Sequence, residues 1–368
     1  MSKEWTSIFN PFNSMKALVH ADRFEAILKG KPKSPVVVNM DLTNACNYRC
    51  GFCMFGGLER ASEQSSHFRT NKASLPRGYA QTLPKLWKDW GVKGVCLAGG
   101  GEPSLHPDCL EFIAECGKNG LDLGVATNGF MFDNPRAWDI LAKNCEFVGF
   151  SIDAGIPGDY QRTKGVPGEF FQKVLNNLWG IAQAKKKMKS RVKIGYKFVL
   201  DKNNWQNIYG AARMAREMGC NTFQFRPAID PNPGYFRDKV ENIWAQIAQA
   251  QKELETEDFK VVGVQHKFNP DLTKRHNFDK CRATMLTSTW AADGKVYMCT
   301  DSRGEDWAYL TDHYPNPRKV IDYWGSKEHF KKVESIDFKR TCDRCTLSPH
   351  NEMFEEVFIK DNLGRNLI

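Results

Sequence analysis

The sequence predicts an α/β protein, a parallel sheet with helices packed outside it, followed by a small second domain. Three observations lead there. Six strand-like runs alternate with helix-like runs between Val36 and Pro227, the succession that βαβ units produce. Within residues 168–187, Phe171, Val174, Leu175, Leu178 and Ile181 recur at the spacing of an amphipathic helix. Beyond Pro227 the alternation stops, and from about Asn277 strands become short and turn residues dense.

Taken in order, residues 1–34 read as an N-terminal extension with a helix around Ser14 to Leu28. The strands are expected at Val36–Leu42, Val92–Ala98, Leu121–Thr127, Glu146–Ile152, Val192–Leu200 and Asn221–Pro227. Helices are expected near 77–90, 106–119, 134–144, 168–187 and 204–219, which makes 35–235 the main domain. Sheets of this kind place their ligands at the carboxyl ends of the strands. Pro231-Asn232-Pro233-Gly234 is a turn or linker. Residues 236–276 supply a connecting helix and strand, the helix near 237–256 with Val240, Ile243, Trp244, Ile247 and Leu254 on one face. Residues 277–368 form the second domain, in which Ala292–Cys299 reads as a hairpin turning at Asp293-Gly294.

Composition narrows the class. The 368 residues are 41% hydrophobic and 26% charged, enough apolar chain for a large core. There is neither an eighteen-residue apolar run nor an N-terminal apolar signal core, so a cytoplasmic protein without a membrane span is expected. Lys and Arg exceed Asp and Glu by 52 to 43, a charge of +9 spread along the chain. The densest basic patch, from Lys185 to Lys193, reads as a solvated helix face.

Twelve cysteines in such a chain point to metal or redox chemistry rather than disulfides. The first strand is followed by Cys46-Asn47-Tyr48-Arg49-Cys50-Gly51-Phe52-Cys53. Three thiolates in eight residues can wrap one [4Fe–4S] cluster and leave its fourth iron without a protein ligand. The alternative is a zinc loop with a distant fourth ligand. Cys281, Cys299, Cys342 and Cys345 make a second set, with four thiolates that suit zinc or a cluster. Cys96, Cys109, Cys116, Cys145 and Cys220 read as buried free cysteines.

The first set resembles the signature of the radical S-adenosylmethionine (radical SAM) superfamily: CxxxCxxC after the first strand, with an aromatic, here Phe52, before the last cysteine. Ala98-Gly99-Gly100-Gly101-Glu102-Pro103, ending the second strand, is similar to that family's GGE motif. The glycines let backbone approach the methionine portion of the cofactor. Thr127-Asn128-Gly129 and Ser151-Ile152-Asp153 end the third and fourth strands. The resemblance implies a partial (β/α)6 TIM-like barrel that binds a [4Fe–4S] cluster and S-adenosylmethionine. It implies cofactor contacts from Phe52, Gly100, Gly101, Glu102, Asn128 and Ser151. In relatives an arginine some twelve positions after the serine pairs with the cofactor's carboxylate. Arg162 lies eleven after Ser151, with Lys164 as its competitor, and Arg226, ending the sixth strand, is expected either to contact cofactor or substrate or to form a salt bridge at the barrel mouth.

The second set resembles the SPASM/twitch extension of the same enzymes. Its four cysteines imply one further, fully ligated [4Fe–4S] cluster, two clusters in all, the second suited to electron transfer. The resemblance implies reductive cleavage of S-adenosylmethionine to a 5′-deoxyadenosyl radical that abstracts a substrate hydrogen atom, with a flavodoxin- or ferredoxin-type protein as reductant. A fully ligated auxiliary cluster favours dehydrogenation of a small sugar or cyclitol-type alcohol, as in the aminocyclitol dehydrogenase of antibiotic biosynthesis. Asp153, Asp301 and Glu305 are the candidate bases. The runner-up is a peptide- or protein-modifying enzyme, against which residues 1–34 look too short for a leader-peptide-binding domain. A zinc-stabilised nucleic-acid-binding protein is the third reading, opposed by the barrel motifs. Gly56 to Ala73, with His67 and Lys72, is a long connection expected to cover the barrel mouth.

Overall fold

Ten strands form one sheet in the order β10-β9-β8-β1-β2-β3-β4-β5-β6-β7 in this computed structural model, which describes residues 14–53, 55, 72–228, 236, 238–263, 278–342 and 345–360. The strands of the expected barrel are β1 (Val37–Asp41), β2 (Gly94–Ala98), β3 (Asp122–Thr127), β4 (Phe147–Ser151), β5 (Lys193–Leu200) and β6 (Thr222–Pro227), all parallel. The sheet is open: β7 (Lys260–Gly263) lies at one edge and β10 (Tyr309–Asp312) at the other.

It also runs beyond six strands. β7 adds in parallel to β6, and β8 (Thr287–Trp290) adds in parallel to β1 with Asn39 opposite Thr289. From β8 the chain turns through Asp293-Gly294 into antiparallel β9 (Lys295–Tyr297) and then β10. The C-terminal strands thus continue the main sheet. Nothing local in Thr-Ser-Thr-Trp announces a partner some 250 residues earlier in the chain.

Among the described residues up to 254, the α-helices in chain order are α1 (Ala21–Leu28), α2 (Leu83–Trp90), α3 (Cys109–Lys118), α4 (Pro135–Asn144), α5 (Pro157–Lys164), α6 (Phe170–Met188), α7 (Ile208–Glu217) and α8 (Val240–Leu254). Four of them have identifiable local stops or starts. Asn134 caps α4 by accepting from the Ala137 amide, while α2 and α5 end at Gly91 and Gly165, both with positive φ. Pro stands in the first turn of α2, α4 and α5, and the long α6 ends at left-handed Lys189. Helix α5 has no counterpart among the sequence expectations, because Pro-Gly-Asp-Tyr-Gln-Arg-Thr-Lys carries no apolar period. Its buried residues are Asp159, Tyr160, Thr163 and Lys164. The linker at 231–234 and most of the expected lid, 56–71 with His67, lie outside the described residues.

The core lies between sheet and helices. Alternate residues feed it, among them Val38 and Met40, Val95 and Leu97, Val148 and Phe150, Tyr196 and Phe198, and Phe223 and Phe225. Side chains alternate across a strand, so the intervening positions share the opposite, concave face. That face carries Asn39 and Asp41, Cys96 and Ala98, Gly149 and Ser151, Lys197, Gln224 and Arg226. A strand covered by apolar core on both sides reads as a continuous hydrophobic run. β1, β5 and β6 do not, which marks their part of the concave side as a polar chamber. Its floor is the Phe147 ring, which lies where a Cβ on Gly149 or Gly195 would stand, 2.7 Å away in each case.

The N-terminal extension is tied to the other end of the chain. Phe24 of α1 stacks on Phe354 and Phe358 with centroids 4.5 and 5.1 Å apart, and Arg23 donates to Ser34 and to the Gly91 carbonyl. Among the described residues no helix is long and apolar enough to cross a membrane.

Candidate functional site

The loop carrying Cys46, Cys50 and Cys53 leaves the carboxyl end of β1 and is held from three sides. Helix α5 holds the first side. The Arg49 amide donates to the Lys164 carbonyl (3.0 Å), and Tyr48 and Tyr160 share a buried hydroxyl–hydroxyl bond of 2.7 Å. Gly165 makes the approach possible, since a Cβ there would stand 2.6 Å from the Arg49 carbonyl oxygen. The turn after β2 holds the second side: Gly101 and Glu102 amides donate to the Thr43 and Ala45 carbonyls, at 3.1 and 2.8 Å. A Cβ on Gly101 would fall on the Ala45 carbonyl oxygen, so only glycine fits there. On the third side Asn128 donates its side-chain amide to Asn47 (2.8 Å).

Glu102 locks two strand ends together. Its buried carboxylate accepts from the Asn128 amide (2.7 Å), the Thr127 hydroxyl (2.5 Å) and Ser104. Burial pushes its pKa up and these donors oppose the shift. The sequence motifs at Gly99–Glu102 and Thr127–Gly129 are therefore one hydrogen-bonded unit beside the cysteine loop.

Arg162 and Lys164 separate clearly. Arg162 is largely exposed and pairs with Asp159 at 2.7 Å on the outer side. Lys164 is buried and forms an ion pair with Asp153, itself held at positive φ beyond β4. Its ammonium lies 5.5 Å from the Phe52 ring centroid. Burial opposes its charge, but the Asp153 carboxylate, with Cys50 and Tyr48 beside it, raises its pKa on balance, so Lys164 stays cationic. Asp153 accepts from the Val199 amide as well (2.6 Å).

Burial pushes the Cys46 thiol up to about 11 and Cys50 up to about 12, with the Lys164 charge opposing the shift at both. Such thiols do not ionise by themselves at neutral pH. A cationic metal centre supplies the missing charge and displaces their protons. Three convergent soft donors fit an iron–sulfur cluster in this respect.

The second thiol set comes together in the same way. Cys281 feels the charges of Cys299 and Cys342, and Cys345 feels those of Cys281 and Cys299. Burial lifts Cys281 to about 12 and Cys299 to about 11. Polar neighbours already address the sulfurs: Asn351 Nδ2 lies 3.5 Å from Cys281 Sγ and Ser302 Oγ 3.1 Å from Cys299 Sγ. Among the described residues no three His, Cys, Asp or Glu side chains surround a single metal-ion position. A four-iron cluster takes each thiolate on a different iron, a wider arrangement than one ion demands.

Asp301 belongs to this second set. Its Oδ2 accepts from the Thr346 amide (3.2 Å) and hydroxyl (2.5 Å), fastening the turn after Cys299 to the residue after Cys345. Glu305 starts the short turn Asp306–Ala308, its carbonyl accepting from the Ala308 amide. Of the three carboxylates singled out in the sequence, only Asp153 stands at the end of a central strand.

Between the two thiol sets lies Arg303. It makes a buried pair with Asp41 at the end of β1, its Nη1 donating to both carboxylate oxygens, and places its guanidinium 4.9 Å from the Phe55 ring. Asp41, Arg303, Lys197 and Gln224 were not singled out by motif. The polar alternation along β1, β5 and β6 is the signal that marks Asp41, Lys197 and Gln224. Ser151 and Arg226 lie on the same concave face, Ser151 opposite Lys197. Cys96 differs from Cys109, Cys116, Cys145 and Cys220: it is partly exposed on that face, while the other four are buried.

Comparison with known proteins agrees with this geometry. The radical SAM superfamily profile matches residues 40–243. Fe-coproporphyrin III synthase of Methanosarcina barkeri is 29% identical over 180 residues, 48% of this chain and 40% of that protein. A probable GTP 3',8-cyclase of Metallosphaera sedula is 28% identical over 193 residues, 52% of this chain and 55% of that protein. The chain thus spans about half the length of the curated relatives it matches. Among solved structures, Streptococcus suis SuiB bound to S-adenosylmethionine superposes with a TM-score of 0.62 at 16% identity, over 87% of this chain and 73% of that one. Native anSMEcpe with bound AdoMet gives 0.57 at 15% identity, over 84% and 89%. These likenesses concern the fold.

Proposed function

Since the chain belongs to the radical SAM superfamily, we propose that it is an oxidoreductase that dehydrogenates a small sugar or cyclitol-type alcohol held on the concave face of the sheet. Membership implies a [4Fe–4S] cluster and S-adenosylmethionine, which together supply a carbon-centred radical able to take a hydrogen atom from a substrate. Cys46, Cys50 and Cys53 hold the cluster. The backbone of Gly100 and Gly101, fixed by Glu102, receives the cofactor's amino-acid portion, with Phe52, Asn128 and Ser151 around it. Lys164 rather than Arg162 provides the cation on this side, because Arg162 is turned to solvent. Asp153, held against Lys164, is the proton-accepting carboxylate.

One observation carries the oxidative reading: Cys281, Cys299, Cys342 and Cys345 converge on a turn that Arg303 anchors at the barrel mouth. Four thiolates leave no iron open, so a cluster there is suited to receive an electron. A flavodoxin- or ferredoxin-type protein would supply the initiating electron. Iron and sulfide are to be counted on anaerobically reconstituted protein beside a Cys342→Ala/Cys345→Ala variant. About eight irons falling to about four supports two clusters. About four in both, with zinc only in the wild type, removes the electron acceptor and the dehydrogenase reading with it.

A second reading is modification of a peptide. It is favoured by the likeness to SuiB, solved with precursor peptide SuiA and similar over 90% of this chain. Turnover of sugars and cyclitols against peptides, in one anaerobic screen, separates the two.

A further inference from the structure

We infer that Lys197, Gln224 and Arg226 form an anion-binding subsite on the concave face, and that the substrate carries a carboxylate or phosphate which docks there. This rests on the reading of that face as the substrate chamber. Lys197 of β5 and Gln224 of β6 are paired in register, so their side chains leave the same side of the sheet. Arg226 follows two residues along β6. The opposite side of β6 is committed to core, where Phe225 meets Trp244 of α8 with centroids 6.1 Å apart. Gln224 therefore points away from the helices and into the chamber.

The row is rich in donors and poor in acceptors. The Lys197 side chain runs across β4 at Gly149, where a Cβ would come within 2.8 Å of its Cδ. Among the described residues no carboxylate lies within ion-pair distance of Lys197. Asp153 is occupied by Lys164 and the Val199 amide, and Asp41 by Arg303. Asp201, past the end of β5, accepts from the amide of Asn203. Beside Lys197, the Gln224 Nε2 group is buried with no hydrogen-bond partner. A buried donor left unmade costs about 1–3 kcal/mol, and the half-buried Lys197 ammonium has no carboxylate to offset its partial desolvation. Burial, and next the Arg226 charge, push the Lys197 pKa down. One oxyanion resting on Lys197 and Gln224, with Arg226 beside it, relieves both deficits.

The anion is a second one, separate from the cofactor's own carboxylate, and the test is built to tell them apart. Thermal unfolding of the iron-loaded chain is followed against inorganic phosphate and, separately, acetate at constant ionic strength, with and without saturating S-adenosylmethionine. Wild type, Lys197→Met and Gln224→Leu are compared. Expected is a saturable rise in Tm with at least one anion, the same with the cofactor present, and at least tenfold weaker in both variants. The arm that responds distinguishes phosphate from carboxylate. In anion-free buffer Lys197→Met should unfold no earlier than wild type, since it removes an unpaired charge; an earlier unfolding would make Lys197 a structural residue and overturn the subsite. No saturable response, an equal response in the variants, or abolition by S-adenosylmethionine also overturns it. Cleavage of S-adenosylmethionine by wild type without substrate scores the enzyme assignment on its own.

Discussion

Arg303 reaches back 262 residues in sequence to pair with Asp41 through both carboxylate oxygens, at 2.7 and 2.6 Å, with both side chains almost wholly buried. The pair joins the end of β1, from which the first cysteine loop departs, to the turn that follows Cys299. Removing one partner leaves the other as an uncompensated buried charge, which costs about 3–5 kcal/mol. Arg303→Met should lose that much in chemical denaturation, and Arg303→Met/Asp41→Asn should recover a large part. A loss below about 1 kcal/mol in the single variant would class the pair with exposed ones.

Lys164 and Arg162 share a helix and differ in what they face. Arg162→Ala should leave iron content near wild type and cost little stability, because Arg162 is largely exposed and its buried partner Asp159 keeps the hydrogen bond from Asn207. Lys164→Met should lower both, since it abandons Asp153 and removes the cation opposing the rise at Cys46 and Cys50. Adding Asp153→Asn should restore stability without restoring iron. Equal behaviour of the two single variants would refute this division.

Gly101→Ala sets a methyl group against the Ala45 carbonyl and displaces the turn after β2 from the cysteine loop. The expected outcome is a folded protein whose affinity for S-adenosylmethionine drops at least tenfold by equilibrium dialysis. Undiminished affinity would mean that this backbone does not touch the cofactor.

Burial holds His313 and His329 down to about 4. Both rings are wholly buried, and His313 Nε2 sits 2.9 Å from the Ala291 carbonyl. A folded pKa below the unfolded value means that the neutral form stabilises the fold. That stability is complete above about pH 6.5 and is lost as pH falls toward 4, where the unfolded chain takes up protons the folded one refuses. Between pH 7 and 5 the two together should cost on the order of 4 kcal/mol. Urea unfolding at the two pH values measures it; a flat profile would contradict the burial.

Metal-free Cys46 and Cys50, held near 11 and 12, should react with iodoacetamide at pH 7.5 at least tenfold more slowly than a free cysteine, whose pKa is ~8.5. Mass spectrometry of the apo-protein reads this directly. Fast alkylation would mean that the loop opens without its metal.

Much of the architecture was legible in the chain before any folding. The β–α alternation, the thiol spacing at Cys46, Cys50 and Cys53, and the glycine turn at Gly99–Gly101 are local patterns, since strand period, helix period and tight turns depend on neighbours a few residues apart. They determined the parallel sheet, the first thiol set and the family. Tertiary structure alone decided the rest. Helix α5 carries no apolar period, so its role in clamping the cysteine loop through Tyr160 and Lys164 emerged only from contact. The burial of Lys164 and the exposure of Arg162 depend on which way each side chain leaves that helix. The joining of β8 to β1, the pairing of Arg303 with Asp41 and the donor row at Lys197 and Gln224 link residues from 27 to 262 positions apart. A long-range pairing is set by packing and by the cost of leaving buried charges and donors unmet, and neither quantity is written in local sequence.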